Sequence, residues 1–381
     1  MSTPLPLSGV PALVLGAGLG TRLRPFTEHV PKPVVPLLGR PLIGYALARL
    51  YAAGCQDAWV NVHHRPDRLK AVLDAWVQRR LLRMKVRWSV EQPAVLGTGG
   101  ALRKIEDALC GSGGPFLLMN GDTVVGADLP GMIAAHRANR EAHGTVATLF
   151  CMPRPDAATY GAVRVDATGR VVDIAGLGRP PGTTDEEVQA ATPTVFCGIH
   201  VIEPEVVAAL PPGGFSGIVR QGYAPLIQAG ADVRGVLAPA GVVFHDVGTP
   251  ARYLDAQAAL LEGPSFLPTA DGVDPRVALF QEASYAVDAA GREYGSPDAV
   301  EGLARATLEA PFFFGPRNTV GAGATIGPDA TIGALNTIGA GARVQDAALW
   351  SQVDVADGEA LRGVMAAKLG GERVVVDGRP T

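Results

Sequence analysis

A six-residue periodicity near the end of the sequence constrains the fold more tightly than any other feature. Seven apolar side chains recur there at intervals of six, and a threonine directly precedes four of them. A repeat of this kind indicates a parallel β-helix. The apolar positions are Phe314, Val320, Ile326, Ile332, Ile338, Val344 and Trp350, and the threonines are Thr319, Thr325, Thr331 and Thr337.

A different pattern precedes the repeat, where apolar β-rich runs alternate with stretches of helical spacing. Strands that alternate with helices predict a doubly wound, mostly parallel α/β sheet. Ligands bind such sheets beyond the carboxyl ends of the strands, so residues directly after each strand are the first site candidates. Strands are predicted over 12–15, 58–62, 86–90 and 116–119, and helices over 41–53, 67–80 and 101–109.

Composition and cysteine spacing exclude several classes of function. The 33 basic and 37 acidic side chains give a net charge of −4, so we expect neither a nucleic-acid nor a membrane partner. No signal-like start or apolar run of roughly 18 residues occurs, which predicts a soluble, cytoplasmic protein. We expect reduced thiols at the four widely spaced cysteines, which are Cys55, Cys110, Cys151 and Cys197.

The first predicted strand ends in a glycine-rich turn that is suited to binding phosphate. Gly16, Gly18 and Gly20 would let backbone N–H groups approach a phosphate closely. Arg22 adds a planar fork for phosphate oxygens, and Lys32 adds a point charge. The spacing matches neither a dinucleotide-binding loop nor a Walker A loop. On the glycines alone, a tight turn without a ligand remains an alternative.

The whole string from Gly16 to Pro36, G-x-G-T-R-L-x-P-x-T followed by P-K-P-x-x-P, resembles the signature of the sugar-1-phosphate nucleotidyltransferases. The resemblance implies a Rossmann-like domain that condenses a nucleoside triphosphate with a sugar 1-phosphate and releases pyrophosphate. It makes Arg22, Lys32 and Asp122 the catalytic residues. It also implies nucleotide contacts at Leu15, Gly16, Ala17, Gly18, Gly20 and Thr21.

Two carboxylates complete the implied site. Asp122 follows the fourth predicted strand in Asn-Gly-Asp-Thr, where Gly121 clears space for the nucleotide. A carboxylate there is suited to Mg²⁺, although an aspartate that caps the next helix is an alternative. Asp246 lies in a motif that resembles the family's late D-x-G-T-P, and the resemblance makes Asp122 and Asp246 the Mg²⁺ ligands. We expect the adjacent His245 to be structural, because a sugar phosphate is already anionic and needs no base.

Further motifs resemble the family's base and sugar segments. The glycine-rich stretch 91–101 implies base recognition at Gln92, Leu96, Gly97 and Thr98, with a plain helix-start loop as the alternative. Two strand-like segments imply sugar-phosphate contacts at Gly161 and Gly198, although both segments are also compatible with ordinary core strands. Arg179 stands where many members have the lysine of Glu-Lys-Pro, and it is the expected phosphate contact there.

The implied mechanism is a single displacement, in which a sugar-phosphate oxygen attacks the α-phosphorus in line. Arg22 would stabilise the departing pyrophosphate, and Lys32 would bind near the attacking phosphate and the α-phosphate. Backbone N–H groups from Leu19 to Thr21 would complete the phosphate cradle.

The repeat resembles the hexapeptide left-handed β-helix found after several nucleotidyltransferases and in many acyltransferases. Three hexads per coil would give about two coils, which predicts that the tail needs capping or a partner. Hexapeptide acyltransferases use a histidine base, and the last histidine here is His245, so we expect a noncatalytic tail that forms a homo-oligomer. The predicted domains are 8–261, a partly helical connector over 262–311 with a helix at 300–308, and the β-helix over 312–381.

The sequence leaves the substrates open. The stretch from Ser89 to Ala101 and the hexapeptide tail look more like guanylyltransferases that use GTP with mannose 1-phosphate or a heptose 1-phosphate. Uridylyl and thymidylyl branches remain alternatives. A different class of function is also open, a catalytically silent regulatory subunit that senses a nucleotide sugar.

Overall fold

The computed structural model describes residues 7–79, 84–262 and 284–379. Packing divides the chain into two compact units. The first unit contains the chain up to Gly18 and the stretch Tyr45–Phe244, and the second contains Leu19–Gly44 and the chain from His245 onward. The signature from Gly16 to Pro36 is therefore split, with Gly16 and Gly18 in the first unit and Arg22 and Lys32 in the second. The predicted domain boundaries stay predictions.

A nine-stranded mixed sheet forms the first unit. Its order is β7-β6-β8-β4-β1-β2-β3, and β5 pairs with both β8 and β9. The strands, numbered here along the chain, are β1 Ala12–Leu15, β2 Asp57–Val62, β3 Lys85–Val90, β4 Phe116–Asn120, β5 Ala147–Pro153, β6 Val163–Val165, β7 Val171–Ile174, β8 Thr192–Ile202 and β9 Val233–Leu237.

The core of this sheet is parallel, as the alternation of strands and helices predicted. Strand β1 pairs in parallel with β2 on one side and β4 on the other, and β3 extends the sheet beyond β2. The chain moves outward from β1 to β3 and then crosses back to place β4 on the opposite side of β1. The order of strands therefore reverses between β1 and β4, and open α/β sheets bind ligands at such a switch point. The four strand predictions made from the sequence are confirmed to within one residue at each end.

Helices connect the strands. The predicted first two helices are confirmed, but the third differs: it begins at Gly97 rather than Ala101 and breaks at Ile105. The other helical elements are Leu129–His143, Asp185–Ala190, Pro204–Ala208, Ala224–Gln228, a π-helix over Ile218–Tyr223 and a 3₁₀ turn over Ala157–Tyr160. The connecting helices are Ile43–Ala52, Pro66–Arg79, Gly97–Lys104 and Glu106–Cys110.

A buried cluster on the sheet fixes these elements together. Leu13 of β1 and Leu118 of β4 pack with Leu102 and with Tyr223, and all four are fully shielded from solvent. All four cysteines are free thiols, as predicted. Burial raises the pKa of the Cys151 thiol to about 12, which keeps it protonated and unreactive. Among the described residues, no helix combines the length and apolar character that a membrane span requires.

The described part of the second unit contains four coils of parallel strands, which confirms the predicted β-helix; its handedness stays a prediction. The strands stack into three sheets. The first contains Tyr285–Val287, Glu293–Gly295, Phe312–Phe314, Ala330–Ile332, Ala347–Leu349, Val364–Leu369 and Glu372–Asp377; the second Val300–Glu301, Asn318–Val320, Thr337–Ile338 and Asp354–Val355; and the third Thr307–Leu308, Thr325–Ile326, Arg343–Gln345 and Ala360–Arg362.

The expectation of about two coils was wrong. A coil precedes the recognised repeat, since Val300 pairs with Asn318 and Thr307 with Thr325. The helix predicted over 300–308 is therefore two short strands joined by the 3₁₀ turn Leu303–Arg305. The physical reason is that parallel pairing with the next coil provides hydrogen-bond partners for the backbone N–H and carbonyl groups of these two strands. Within the first sheet, antiparallel strands cap both ends of the parallel stack, namely Tyr285–Val287 with Glu293–Gly295 at one end and Glu372–Asp377 at the other.

The repeat also changes length. Ile332 pairs with Leu349, seventeen positions later, whereas Phe314 pairs with Ile332, eighteen positions later. Asp346 alone forms the corner between two strands of the third coil, so one residue is missing there. Leu349 therefore occupies the inward position that the periodicity assigned to Trp350.

The second unit also contains the signature from Leu19 onward, packed on the β-helix. This segment comprises the 3₁₀ turns Thr21–Leu23 and Lys32–Val34, the helix Phe26–His29 and the two-residue strands Pro36–Leu37 and Arg40–Pro41. The rings of Phe26 and Trp350 contact each other with centroids 5.0 Å apart. Tyr253, on the helix Pro250–Glu262, donates a hydrogen bond through its hydroxyl to the Pro36 carbonyl.

Two buried asparagines stabilise the corners of the β-helix. The Asn318 amide donates to the carbonyls of Gly315 and Gly333, both at 2.7 Å, and its Oδ1 accepts from the Asn336 N–H at 2.8 Å. Asn336 repeats the last contact with the Val353 N–H at 2.7 Å. The side chains therefore replace backbone hydrogen bonds that the corners interrupt.

We expect Asn318→Ala to lower the free energy of unfolding by about 2–4 kcal/mol, because three buried backbone groups lose their partner. Chemical denaturation measures the loss. The neighbouring exposed substitution Thr319→Ala is the control and should change the free energy of unfolding by less than about 0.5 kcal/mol. Equal effects of the two substitutions would contradict the role of Asn318.

Candidate active site

The switch point of the first unit places two predicted nucleotide-binding segments side by side. Leu15 ends β1 and Asn120 ends β4, and the Gly121 N–H donates to the Leu15 carbonyl at 3.0 Å. Asp122 is half-buried in the turn that follows. Gly16, Ala17 and Gly18 continue from β1. The turns that follow β1 and β4 are thus neighbours, and Asp122 lies in the second of them.

A buried polar chain that sequence reasoning missed links this turn to the next loops. The Gly16 N–H donates to Asn61 Oδ1 at 2.7 Å, and Asn61 Nδ2 donates to Glu91 Oε1 at 2.7 Å. Glu91 Oε2 accepts from the Leu96 N–H at 2.8 Å. Gly16 therefore shapes its loop through Asn61 instead of offering its N–H to a phosphate. The position of Asn61 and Glu91 near or directly after strand ends was the available sequence signal.

The predicted base-recognition segment has a structural reason for its glycines. A Cβ at Gly97, where φ is +70°, would lie 2.6 Å from the Ser216 carbonyl oxygen. That carbonyl accepts the Gly99 N–H at 2.8 Å, and the Ser216 N–H donates to the Leu96 carbonyl at 2.9 Å. The predicted helix start at Ala101 was wrong, because residues 97–100 already form the first turn of a helix that docks against Ser216. Leu96, Gly97 and Thr98 remain half-buried, and Gln92 is exposed.

The predicted sugar-phosphate residues have separate surroundings. Gly161 ends a 3₁₀ turn with φ at +75°. A Cβ at Gly198 would lie 2.4 Å from Asn120 Nδ2, so this glycine makes room for the last side chain of β4. Arg179 donates to carboxylates of Asp185 and Asp173, which together raise its pKa. The guanidinium that was expected to contact phosphate is thus held in a double ion pair.

The second unit brings two predicted site residues together. Arg22 Nη2 lies 3.8 Å from Asp246 Oδ2, and the same oxygen accepts from Arg252 Nη1 at 2.5 Å. Arg252 lies in the first turn of the helix Pro250–Glu262, which begins at the last residue of the D-x-G-T-P motif, and it was not among the candidates. The available sequence signal for Arg252 is its place six residues after Asp246. His245 is half-buried beside Asp246.

Gly20 and Lys32 also meet in the second unit. Gly20 has φ at +64°, and a Cβ there would lie 2.8 Å from the Lys32 Cβ and 3.0 Å from Thr27 Cγ2. The Thr27 hydroxyl donates to the Gly20 carbonyl at 2.8 Å. Lys32 is buried, and Thr21 opens the 3₁₀ turn after Gly20. Glycine at position 20 is therefore required by the packing of Lys32.

The carboxylates suit a loosely held divalent cation. Within the described residues, no cluster of three or more histidine, cysteine, aspartate or glutamate side chains could hold a metal ion. Mg²⁺ is commonly bound by one or two carboxylates together with substrate phosphates, so single carboxylates such as Asp122 and Asp246 fit that chemistry.

A glycine turn at the switch point of the parallel part of a sheet is typical of α/β proteins that bind nucleotides. Comparison with known proteins narrows this class. The model of the nucleotidyl transferase family matches residues 11–263. The chain therefore belongs to the nucleotidyl transferase family, which confirms the predicted family.

Individual relatives of the chain are also nucleotidyltransferases. The chain is 34% identical over 259 residues to the N-acetylmuramate alpha-1-phosphate uridylyltransferase of Caulobacter vibrioides, covering 66% of this chain and 97% of that protein. It is 29% identical over 255 residues to the mannose-1-phosphate guanylyltransferase of Mycobacterium tuberculosis, covering 67% of this chain but only 65% of that relative's length.

A solved structure shares the fold. HddC from Yersinia pseudotuberculosis, crystallised with GMP-PN, superposes with a TM-score of 0.51 at 20% identity. The superposition covers 66% of this chain and 99% of HddC. At this identity the likeness shows the fold alone.

Gly18→Ala and Gly20→Ala should separate two roles of glycine. Gly20→Ala should lower the free energy of unfolding by about 1–3 kcal/mol through its positive φ and the contact with Lys32. No atom of the described residues lies within 4 Å of the place that a Cβ at Gly18 would take, so Gly18→Ala should change stability by less than about 0.5 kcal/mol. It should still raise the KM for triphosphate, because the methyl group would keep phosphates from the backbone. Denaturation and steady-state kinetics measure both, and an unchanged KM in Gly18→Ala would contradict a phosphate role.

Proposed function

We propose that the protein is an enzyme that transfers a nucleotidyl group from a nucleoside triphosphate to a sugar 1-phosphate and releases pyrophosphate. The observation that carries the proposal is the pairing of the glycine turn after β1 with Asp122 after β4, in a chain that matches the nucleotidyl transferase family over 11–263. A phosphate loop beside a carboxylate is suited to polyphosphate chemistry. The named sugar-phosphate transferases among the relatives support the same reaction.

Arg22 is the proposed partner of the departing pyrophosphate. Its side chain is 59% exposed, so its planar fork is accessible to a ligand. Asp246 lies close enough to orient the guanidinium without burying it. Lys32, on the same short segment, is the proposed cation for the attacking phosphate and the α-phosphate. Fixed cations of this kind stabilise charge that develops during phosphoryl transfer.

No general base is required of the chain. A sugar phosphate is an anionic nucleophile at neutral pH, so its oxygen can attack the α-phosphorus without losing a proton. His245 therefore serves as a structural neighbour of Asp246 in this proposal. The buried thiol of Cys151 cannot act as a nucleophile, because its pKa is raised to about 12.

We propose Asp122 and Asp246 as ligands of Mg²⁺. This role rests on the family motifs and on the suitability of single carboxylates for a cation that phosphates also bind. When bound, Mg²⁺ would offset negative charge on the phosphate oxygens. Arg252, which donates to Asp246, would position that carboxylate.

GTP with mannose 1-phosphate or a heptose 1-phosphate is the first substrate proposal, supported by the guanylyltransferase-like motifs. A uridylyl branch is the second, favoured by the 34% identity to the C. vibrioides uridylyltransferase. A homo-oligomer formed through the β-helix and a cytoplasmic location are further proposals from the sequence.

A substrate panel tests the reaction. Pyrophosphate release should occur with one triphosphate and one sugar phosphate from a panel of GTP, UTP and dTTP against mannose, heptose, glucose and N-acetylmuramate 1-phosphates. EDTA should abolish release, and added Mg²⁺ should restore it. Binding of nucleotide without turnover across the panel would contradict the enzyme and favour the regulatory subunit.

The two exposed arginines of the signature allow a matched test. Arg22→Ala should lower kcat about a hundredfold, the typical effect of removing one preorganised transition-state contact. Arg24→Ala is the control, because Arg24 is 60% exposed and pairs with Glu28 at 3.6 Å. It should retain kcat within about threefold, as expected for a surface ion pair. Asp122→Ala should resemble Arg22→Ala, and wild-type turnover in either variant would overturn their assigned roles.

A further inference from the structure

The buried chain from Gly16 through Asn61 and Glu91 to Leu96 is complete. Asn61 is 3% exposed and Glu91 is fully buried. An ionised carboxylate in such a place is costly unless both oxygens accept hydrogen bonds. Here one oxygen accepts from Asn61 Nδ2 and the other from the Leu96 N–H. The two side chains therefore form one hydrogen-bonded pair, and a backbone N–H group donates to each end of this pair.

The two N–H groups that bind this pair lie in two different segments, each of which is a candidate for nucleotide binding. Gly16 begins the turn after β1, and Leu96 directly precedes the helix that starts at Gly97. Backbone contacts fix Glu91 itself: its N–H donates to the Val62 carbonyl at 2.7 Å, and its carbonyl lies 2.9 Å from His63 Nδ1. The carboxylate is thus held rigidly between the two segments.

We propose that Asn61 and Glu91 are positioning residues that set the spacing between the phosphate turn at Gly16 and the base segment at Leu96. The inference rests on the proposed function, since it assigns the two segments to the two ends of one nucleoside triphosphate. A fixed spacing lowers the cost of ordering the site when the nucleotide binds. The sugar phosphate does not require this spacing, so the effect is specific to the triphosphate.

The chemistry of the chain permits a reciprocal exchange. Glu91→Gln alone places an amide NH₂ group against either Asn61 Nδ2 or the Leu96 N–H, because an amide has only one acceptor oxygen. Asn61→Asp alone places a carboxylate oxygen against Glu91 Oε1. The double variant Asn61→Asp/Glu91→Gln restores every donor and acceptor, with the negative charge moved by one side chain.

Steady-state kinetics of the 381-residue chain test the inference. Each single variant should raise the KM for triphosphate by about tenfold or more, the effect of losing a hydrogen bond to a buried charged group. The KM for sugar phosphate should change by less than about threefold. The double variant should recover to within about threefold of the wild-type KM for triphosphate, since the two side chains act as a pair.

Glu203→Gln is the matched control. Glu203 is also a buried carboxylate of the first unit, but it accepts from His136 Nε2 at 3.1 Å and contacts neither nucleotide segment. This variant should lose thermal stability while its KM for triphosphate stays within about threefold of wild type. If the Asn61 and Glu91 single variants behave like this control, the positioning role is overturned.

Other outcomes decide the inference equally. Failure of the double variant to recover, or equal weakening toward both substrates, would overturn it. If a single variant does not fold, recovery of folding without recovery of triphosphate affinity in the double variant would overturn it as well. Calorimetric titration with GTP and UTP separates this inference from the proposed function. Absent turnover defeats the function, whereas the nucleotide affinities of the wild type, the single variants and the double variant still test the positioning role.

Discussion

Parallel pairing of four strands is the constraint on which the rest of this structure depends. Because β4, β1, β2 and β3 run in one direction, their carboxyl ends meet along one edge of the sheet. The reversal of strand order between β1 and β4 brings the Gly16 turn beside Asp122. The carboxyl ends of β2 and β3 bring Asn61 and Glu91 to the same edge. Every nucleotide contact proposed for the first unit follows from this alignment.

Sequence patterns predicted the backbone of this edge better than its side-chain partners. A buried parallel strand forms a continuous apolar run, so 12–15 and 116–119 were recognisable. The position of Glu91 after a strand was visible in the sequence, but its hydrogen-bond partners were not, because they lie thirty residues back and five residues ahead. Two further contacts were likewise absent from any local pattern. Arg179 pairs with Asp173 and Asp185, and Gly97 docks on Ser216.

The β-helix shows where periodicity fails. Gly302 stands where the six-residue rhythm requires an apolar side chain, so the first coil was mistaken for a helix. The one-residue corner at Asp346 then shortens the repeat by one position, so the six-residue spacing pointed to Trp350 where Leu349 faces inward. The contact of Trp350 with Phe26, four residues after Arg22, gives the tail a role within its own chain. The tail supports the segment that carries Arg22 and Lys32, while its use in oligomer formation stays a prediction.

In the proposed reaction the nucleotidyl group transfers directly at the α-phosphorus, with no covalent intermediate on the chain. The most direct test supplies the α-thiotriphosphate of guanosine or uridine as one diastereomer, together with the matching sugar 1-phosphate, and determines the configuration at phosphorus in the product. A single in-line displacement predicts a nucleoside diphosphate sugar with inverted configuration. Retention of configuration, or the absence of any sugar product, would contradict the account.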